Sequence, residues 1–182
     1  EACDDIAYSV LDAEDTIKKG FASYQDLSNF LLSQKDPHNV IKNVITAVEN
    51  KNSEWEMQRN ALSPAEINEL SMQMFRVYAT SELINAVVDA FKDHLPELMS
   101  CGCSFKDLIS HSKGASLCAA LKAFDRTRGY QHRSVLQLEL KGSNYIQNLM
   151  DMLWIGIHGH QTRHQQIDES GHNHYLSNTP FG

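Results

Sequence analysis

Apolar residues recur every three or four positions along most of the chain, which is typical of helices that bury one face. The first such stripe predicts a helix over residues 3–19, with Gly20 as its end. Shorter stripes predict a second helix over residues 24–34 and a third that starts near Pro37. The polar residues 49–61 that follow predict a loop. The first stripe consists of Ile6, Val10, Ala13 and Ile17.

The clearest local signal is the sequence Ser63-Pro64-Ala65-Glu66. Serine followed three positions later by glutamate forms a capping box, and proline suits the first helical position. The apolar positions after it predict one long helix that ends near Pro96, roughly 45–50 Å at the usual rise per residue. We expect this helix to cross the whole domain. Its apolar positions are Ile67, Leu70, Met74, Val77, Ile84, Val88, Phe91 and Leu95.

The last third of the chain contains sequence patterns of helices, turns and a short strand. A turn is predicted around residues 101–103, followed by short helices over residues 105–109 and 114–125. Gly129 is expected to interrupt the helical pattern, and residues 135–140 predict a short strand or an extended turn. A final helix is predicted over residues 143–157. The sequence therefore predicts an all-α fold with little or no sheet.

Composition narrows the class of protein further. The chain has 182 residues and a net charge of −7, so a large non-specific nucleic-acid surface is disfavoured. No apolar run is long enough to cross a bilayer, and the four cysteines suit neither a disulfide framework nor a zinc ribbon. We expect a cytoplasmic protein. Because the chain begins without methionine, we also expect it to be a piece of a longer protein.

The first predicted helix carries an acidic face opposite its apolar stripe. Asp4, Tyr8 and Asp12 follow one another at intervals of four residues, which places them on one edge of the helix. Such a face can be solvated surface with acid near the helix N-terminus. The alternative is a carboxylate ligand to a divalent metal, with the next two turns reaching a substrate.

A resemblance favours the second interpretation. Residues 1–15, EACDDIAYSVLDAED, resemble the last metal-binding motif of the bacterial dGTP triphosphohydrolases of the HD-domain phosphohydrolase superfamily. Residues 74–77 with 93–96 resemble the long helix of that family and its end. Residues 135–142 with 145–150 resemble its LELxG segment. The similarity runs from Glu1 to about residue 157, which implies a helical part of an HD-domain enzyme over residues 1–157 and a polar, His-rich segment over residues 158–182.

The resemblance implies an activity and roles for five residues. The family cleaves a deoxynucleoside triphosphate, such as dGTP, to the deoxynucleoside and triphosphate, and its divalent metal, Mg²⁺ or Mn²⁺, is held by the pattern H…HD…D. Homo-oligomers, often hexamers, and single-stranded DNA are implied as further partners. Asp4 matches the last metal ligand, Tyr8 a residue packed on the deoxyribose, Asp12 a contact to the 3′-hydroxyl, Tyr130 a residue near the base, and Arg76 a phosphate contact.

The departures from the family limit what this chain can do. No histidine here is followed by aspartate, so the H…HD ligands are missing and the chain by itself is expected to be inactive. Within the polar tail, His160 and His164 have the spacing of a helical metal pair, but a polar loop is favoured. The basic residues between Lys113 and Arg133 suit either solvated helix ends or contacts to triphosphate or DNA. The alternative function is a helical interaction module without catalysis.

Overall fold

The computed structural model describes residues 1–58, 62–99, 107–158, 165–167 and 173–175. They form seven α-helices and two three-residue strands, and the chain divides into two compact units, Glu1–His132 and Arg133–Gly182. This confirms the predicted all-α class. None of the described helices combines the length and the apolar content that crossing a membrane requires.

The first unit holds six of the α-helices. In chain order its elements are α1 (Ala2–Lys18), α2 (Tyr24–Leu32), α3 (Val40–Gln58), α4 (Pro64–Asp93), α5 (Leu95–Leu98), a 3₁₀-helix (Ile109–His111), α6 (Ala115–Phe124) and a π-helix (Asp125–Tyr130). The second unit holds α7 (Arg133–His158) and the antiparallel strands β1 (Gln165–Ile167) and β2 (Asn173–Tyr175).

Local sequence explains where the helices of the first unit begin and end. Gly20 has a φ of 72°, and its N–H bonds to the Ile17 carbonyl, so α1 ends as predicted. Ser63 and Glu66 form the predicted capping box at the start of α4. Asp36 accepts hydrogen bonds from the first N–H groups of α3, which therefore begins at Val40, three residues after Pro37.

The predicted long helix is α4, and it forms the centre of the first unit. It has 30 residues, about 45 Å at the usual rise. It packs against α1 on one side and α3 on another. Phe75, Ala79 and Leu83 on α4 are fully buried in a core that α2 and α6 complete. The apolar stripe predicted for α1 is buried in the same core.

Two predictions about connecting segments are wrong. Residues 49–58 continue α3 instead of forming a loop, because their glutamate, lysine and glutamine residues are good helix formers even without an apolar stripe. Residues 135–140 lie inside α7, not in a strand. The predicted interruption at Gly129 is present, since the π-helix ends at Tyr130 and residues 131–132 are not helical. The predicted turn at residues 101–103 and most of the polar tail lie outside the described residues, so the boundary at residue 157 stays a prediction.

Candidate site on the first helix

One edge of α1 carries the three residues that the sequence selects. The core takes the opposite stripe of the helix, from Ile6 to Ile17, with exposures of at most 4%. Asp4 and Tyr8 are consequently exposed, Tyr8 by 61% of its surface, and Asp12 is half-buried. Successive members of the series are separated by about 6 Å along the helix axis. The edge thus presents a carboxylate, a phenol and a second carboxylate in a row.

Tyr130 meets this edge at Asp12. Its hydroxyl donates a hydrogen bond to Asp12 Oδ2 at 2.5 Å, although 118 residues separate the two along the chain. Because the phenol proton is held by a carboxylate, the pKa of Tyr130 rises to about 12, with burial as a further cause. The tyrosine therefore stays protonated at any physiological pH and remains a hydrogen-bond donor.

The π-helix positions Tyr130 against α1. It starts directly after α6, and its wider turn displaces the following side chains from the positions an α-helix would give them. Gly129 lies against α1 so closely that a Cβ would stand 2.4 Å from Thr16 Oγ1. Thr16 is itself buried, so its hydroxyl cannot move aside freely. The absence of a side chain at Gly129 therefore permits the close approach that joins Tyr130 to Asp12.

Asp125 is a residue of this site that the sequence analysis missed. It begins the π-helix and is only 2% exposed. Burial and the nearby charge of Asp12 raise its pKa from 3.8 to about 7, while the Thr16 hydroxyl acts weakly in the opposite direction. No periodicity distinguishes this aspartate from a surface one. The signal available in the sequence was only its position after the apolar end of α6.

Arg76, the predicted phosphate contact, lies against the other side of α1. Its Nη1 donates to both carboxylate oxygens of Glu14 at 3.1 and 3.0 Å, and Lys18 Nζ approaches the same carboxylate at 2.8 Å. Glu14 is only 4% exposed, so these two cations replace the water that an exposed carboxylate would have as its partner. The structure does not bring Arg76 to Asp12 or Tyr130 through any contact of the described residues. Its phosphate role stays a prediction.

The ion pair predicts a stability effect for Arg76. We expect Arg76→Met to lower the free energy of unfolding by about 2–3 kcal/mol, less than the roughly 3–5 kcal/mol of a fully buried pair, because Lys18 still faces Glu14. Urea unfolding measures this change. Adding Glu14→Gln to Arg76→Met removes the unpaired buried charge and should recover most of the loss. An Arg76→Met variant as stable as the parent would show that the pair contributes nothing.

Two residues of the predicted basic stretch, Lys122 and His132, contact other residues of the first unit. The Lys122 ammonium pairs with Asp5 of α1, which raises the pKa of Lys122. The His132 ring stacks on Phe21 with centroids 3.9 Å apart. These contacts favour the structural interpretation for both residues. They do not test a nucleic-acid contact at the remaining basic residues.

The described residues do not form a metal site by themselves. No three histidine, cysteine, aspartate or glutamate side chains among them come close enough to share an ion. Asp4 is an exposed carboxylate without such neighbours. A single carboxylate does not complete the six-coordinate shell that Mg²⁺ requires. Further ligands would have to come from outside the described part of this chain.

Comparisons with known proteins agree with the resemblance in the sequence. The chain is 30% identical over 153 residues to a deoxyguanosinetriphosphate triphosphohydrolase of Enterobacter sp. (strain 638). It is 30% identical over 154 residues to the enzyme of that name from Salmonella paratyphi A and 29% identical over 153 residues to that of Klebsiella pneumoniae. No family model matches the chain.

The alignments include most of this chain but only a minor part of each relative. Each alignment covers 84% of the chain but 30% of the relative. The chain thus spans less than a third of the length of these proteins. The resemblance to dGTP triphosphohydrolases is confirmed over 84% of the chain.

Proposed function

We propose that this chain is part of a metal-dependent deoxynucleoside triphosphate triphosphohydrolase, to which it contributes one metal ligand and most of a sugar-binding surface. The observation that carries the proposal is the hydrogen bond from Tyr130 to Asp12. The resemblance assigns these two residues, distant in sequence, to the nucleotide independently of one another. Their meeting one turn from Tyr8, on the exposed edge of α1, supports a shared role for the three residues in binding a nucleotide.

The chemistry of the edge suits a deoxyribose. The Asp12 carboxylate accepts a hydrogen bond from Tyr130 and has a second oxygen to accept one from a 3′-hydroxyl. The exposed Tyr8 ring offers an apolar face on which a sugar carbon packs. A ribose would place its 2′-hydroxyl against that ring without a hydrogen-bond partner. The edge should therefore favour deoxynucleotides over ribonucleotides.

The reaction itself needs groups beyond this chain. Water attacks the α-phosphorus, the bond to the 5′-oxygen breaks, and deoxyguanosine and triphosphate are released when dGTP is the substrate. A divalent metal, Mg²⁺ or Mn²⁺, would polarise the phosphate oxygens when bound. Asp4 would be one of its ligands, the others coming from an H…HD pattern elsewhere in the protein. The chain alone is therefore inactive in this proposal.

The same proposal covers partners and location. We place the protein in the cytoplasm, where the free thiols of Cys3 and Cys118 stay reduced. The resemblance implies two partners for the intact protein: further copies of itself in a homo-oligomer such as a hexamer, and single-stranded DNA. Size-exclusion chromatography with light scattering and a DNA-binding titration test each of them separately.

The experiment is a substrate panel on the intact protein that carries this chain. We expect Mg²⁺- or Mn²⁺-dependent release of triphosphate from dGTP or another dNTP and little from GTP. Tyr8→Ala should reduce the preference for dGTP over GTP by about tenfold, because the ring that leaves a 2′-hydroxyl without a hydrogen-bond partner is removed. Leu11→Ala, at a comparably exposed apolar position on α1, serves as the control and should retain the preference.

Two results would contradict the proposal. Unchanged sugar discrimination in Tyr8→Ala would remove Tyr8 from the site. Absence of hydrolysis for every dNTP with either metal, with and without single-stranded DNA, would favour the helical interaction module instead.

A further inference from the structure

The Asp125 carboxyl is a buried polar group without a hydrogen-bond partner. Neither of its oxygens has one among the described residues, at ordinary hydrogen-bond geometry. Buried carboxyls are usually paired, because leaving a charge or a polar group unpaired in the interior costs free energy. Asp125 lies at the start of the π-helix that delivers Tyr130. An unpaired group at that position calls for a role in the site.

The groups around Asp125 disfavour the charged form of its carboxyl. The elements packed against the π-helix are α1 and α6. From α1 come the Asp12 carboxylate and the Thr16 hydroxyl. The charged residue of α6, Lys122, pairs with Asp5, and Arg128 of the π-helix acts on Asp26. The charge that acts on Asp125 is therefore that of Asp12, and it is repulsive.

The two protonation states of Asp125 have different consequences for the site. The neutral carboxyl tolerates burial beside Asp12, and the π-helix can stay packed on α1. The charged carboxylate repels Asp12, and the Thr16 hydroxyl offsets only part of the cost of burial and repulsion, so the charged state favours a movement of the π-helix towards water. Because Gly129 is in close contact with Thr16, such a movement would also carry Tyr130 away from Asp12. Both states are populated near neutral pH, since the pKa of Asp125 is about 7.

We propose that Asp125 is a positioning residue for the sugar-binding pair, holding Tyr130 on Asp12 when neutral and releasing it when charged. The inference rests on the proposed function for its consequence, tighter deoxynucleotide binding in the neutral state. It assigns no chemical step to Asp125, which does not reach the exposed edge itself. The structural part, opening of the Tyr130–Asp12 hydrogen bond, is independent of any substrate.

Steady-state kinetics of the intact protein from pH 6 to 9 test the consequence. We expect KM for the best dNTP to rise several-fold between pH 6 and 8.5 in the parent and to stay near its low value in Asp125→Asn, while kcat changes little. The control is Asp15→Asn, an exposed carboxylate on α1 that should keep the parental profile. The nucleotide phosphates titrate in the same way with the parent and with both variants, so the control shows how much of the change in KM comes from them. Identical KM profiles in the parent and Asp125→Asn would overturn the inference.

A second readout needs no activity and separates the inference from the proposed function. With tyrosine labelled by ¹³C at Cζ, the Tyr130 signal is assigned by its loss in Tyr130→Phe. We expect its shift to titrate with a midpoint near pH 7 in the parent and not in Asp125→Asn. A Tyr130 chemical shift that does not change with pH in either protein would overturn the inference even if hydrolysis is found. A titrating signal without hydrolysis would support it and contradict only the proposed function.

Discussion

Replacing Asp4 with alanine in the intact protein is expected to lower metal-dependent triphosphate release from a dNTP by on the order of 10³-fold. The proposed metal would lose one of its protein ligands and would neither bind tightly nor hold its geometry. The loss of a single preorganised electrostatic contact already costs enzymes about 10²–10³ in rate. Initial rates across a range of Mg²⁺ and Mn²⁺ concentrations measure the effect. Excess Mn²⁺ should recover part of the activity.

The matched control for Asp4 is Asp15→Ala. Asp15 is an exposed carboxylate on the same helix and makes an i, i+4 ion pair with Lys19, a contact of small energetic value. We expect the control to keep full activity and both variants to unfold within a few degrees of the parent. Full activity in Asp4→Ala would exclude Asp4 as a metal ligand. It would leave the acidic edge of α1 as solvated surface.

Asp125→Asn is expected to stabilise the protein strongly at pH 8 and little at pH 4.5. Burial raises the pKa of Asp125 from 3.8 to about 7, so the folded state binds a proton more tightly than the unfolded state. Stability is therefore lost as pH rises from about 4 to 7, and above that the charged side chain costs on the order of 2–4 kcal/mol. Asparagine has nearly the same shape and no charge, so it removes this cost.

Thermal unfolding at the two pH values measures the difference. A gain of 2–4 kcal/mol corresponds to a Tm increase of roughly 5–15 °C at pH 8 for a protein of this size. Asp15→Asn, at an exposed position, should change Tm by the same small amount at both pH values. If Asp125→Asn lowers Tm equally at pH 4.5 and pH 8, the aspartate is paired in solution and its burial without a partner is refuted.

The sequence predicted the helices whose signals are local. α1 could be read from its apolar stripe and α4 from its capping box. The apolar positions that predicted α4 are not its buried face, since Val77, Ile84 and Phe91 are exposed while the core takes the face that carries Phe75 and Leu83. The prediction for residues 135–140 is wrong because three leucines occupy alternate positions there, as they could in a strand, while the surrounding α7 sequence is helical. Short runs of this kind fit either structure. Context over the whole segment decides between them.

The candidate site was predictable only in part. The α1 edge follows from a spacing of four residues, so Asp4, Tyr8 and Asp12 could be placed together in advance. The bond between Asp12 and Tyr130 could not, because it depends on a π-helix that no 3.6-residue periodicity reveals. Asp125 escaped notice for the same reason. The resemblance indicates Arg76 as a phosphate contact, but no sequence signal reveals its buried ion-pair partner Glu14, 62 residues away.

The hydrogen bond between Asp12 and Tyr130 joins the first helix of its unit to the last turn. Contacts between such distant segments carry a large loop-closure entropy and are formed late when a chain folds. A nucleotide that contacts both segments would link the two ends of the unit for as long as it stays bound. Ligand binding should then suppress fraying of both ends at once, so substrate supply would set how long the protein resists proteolysis.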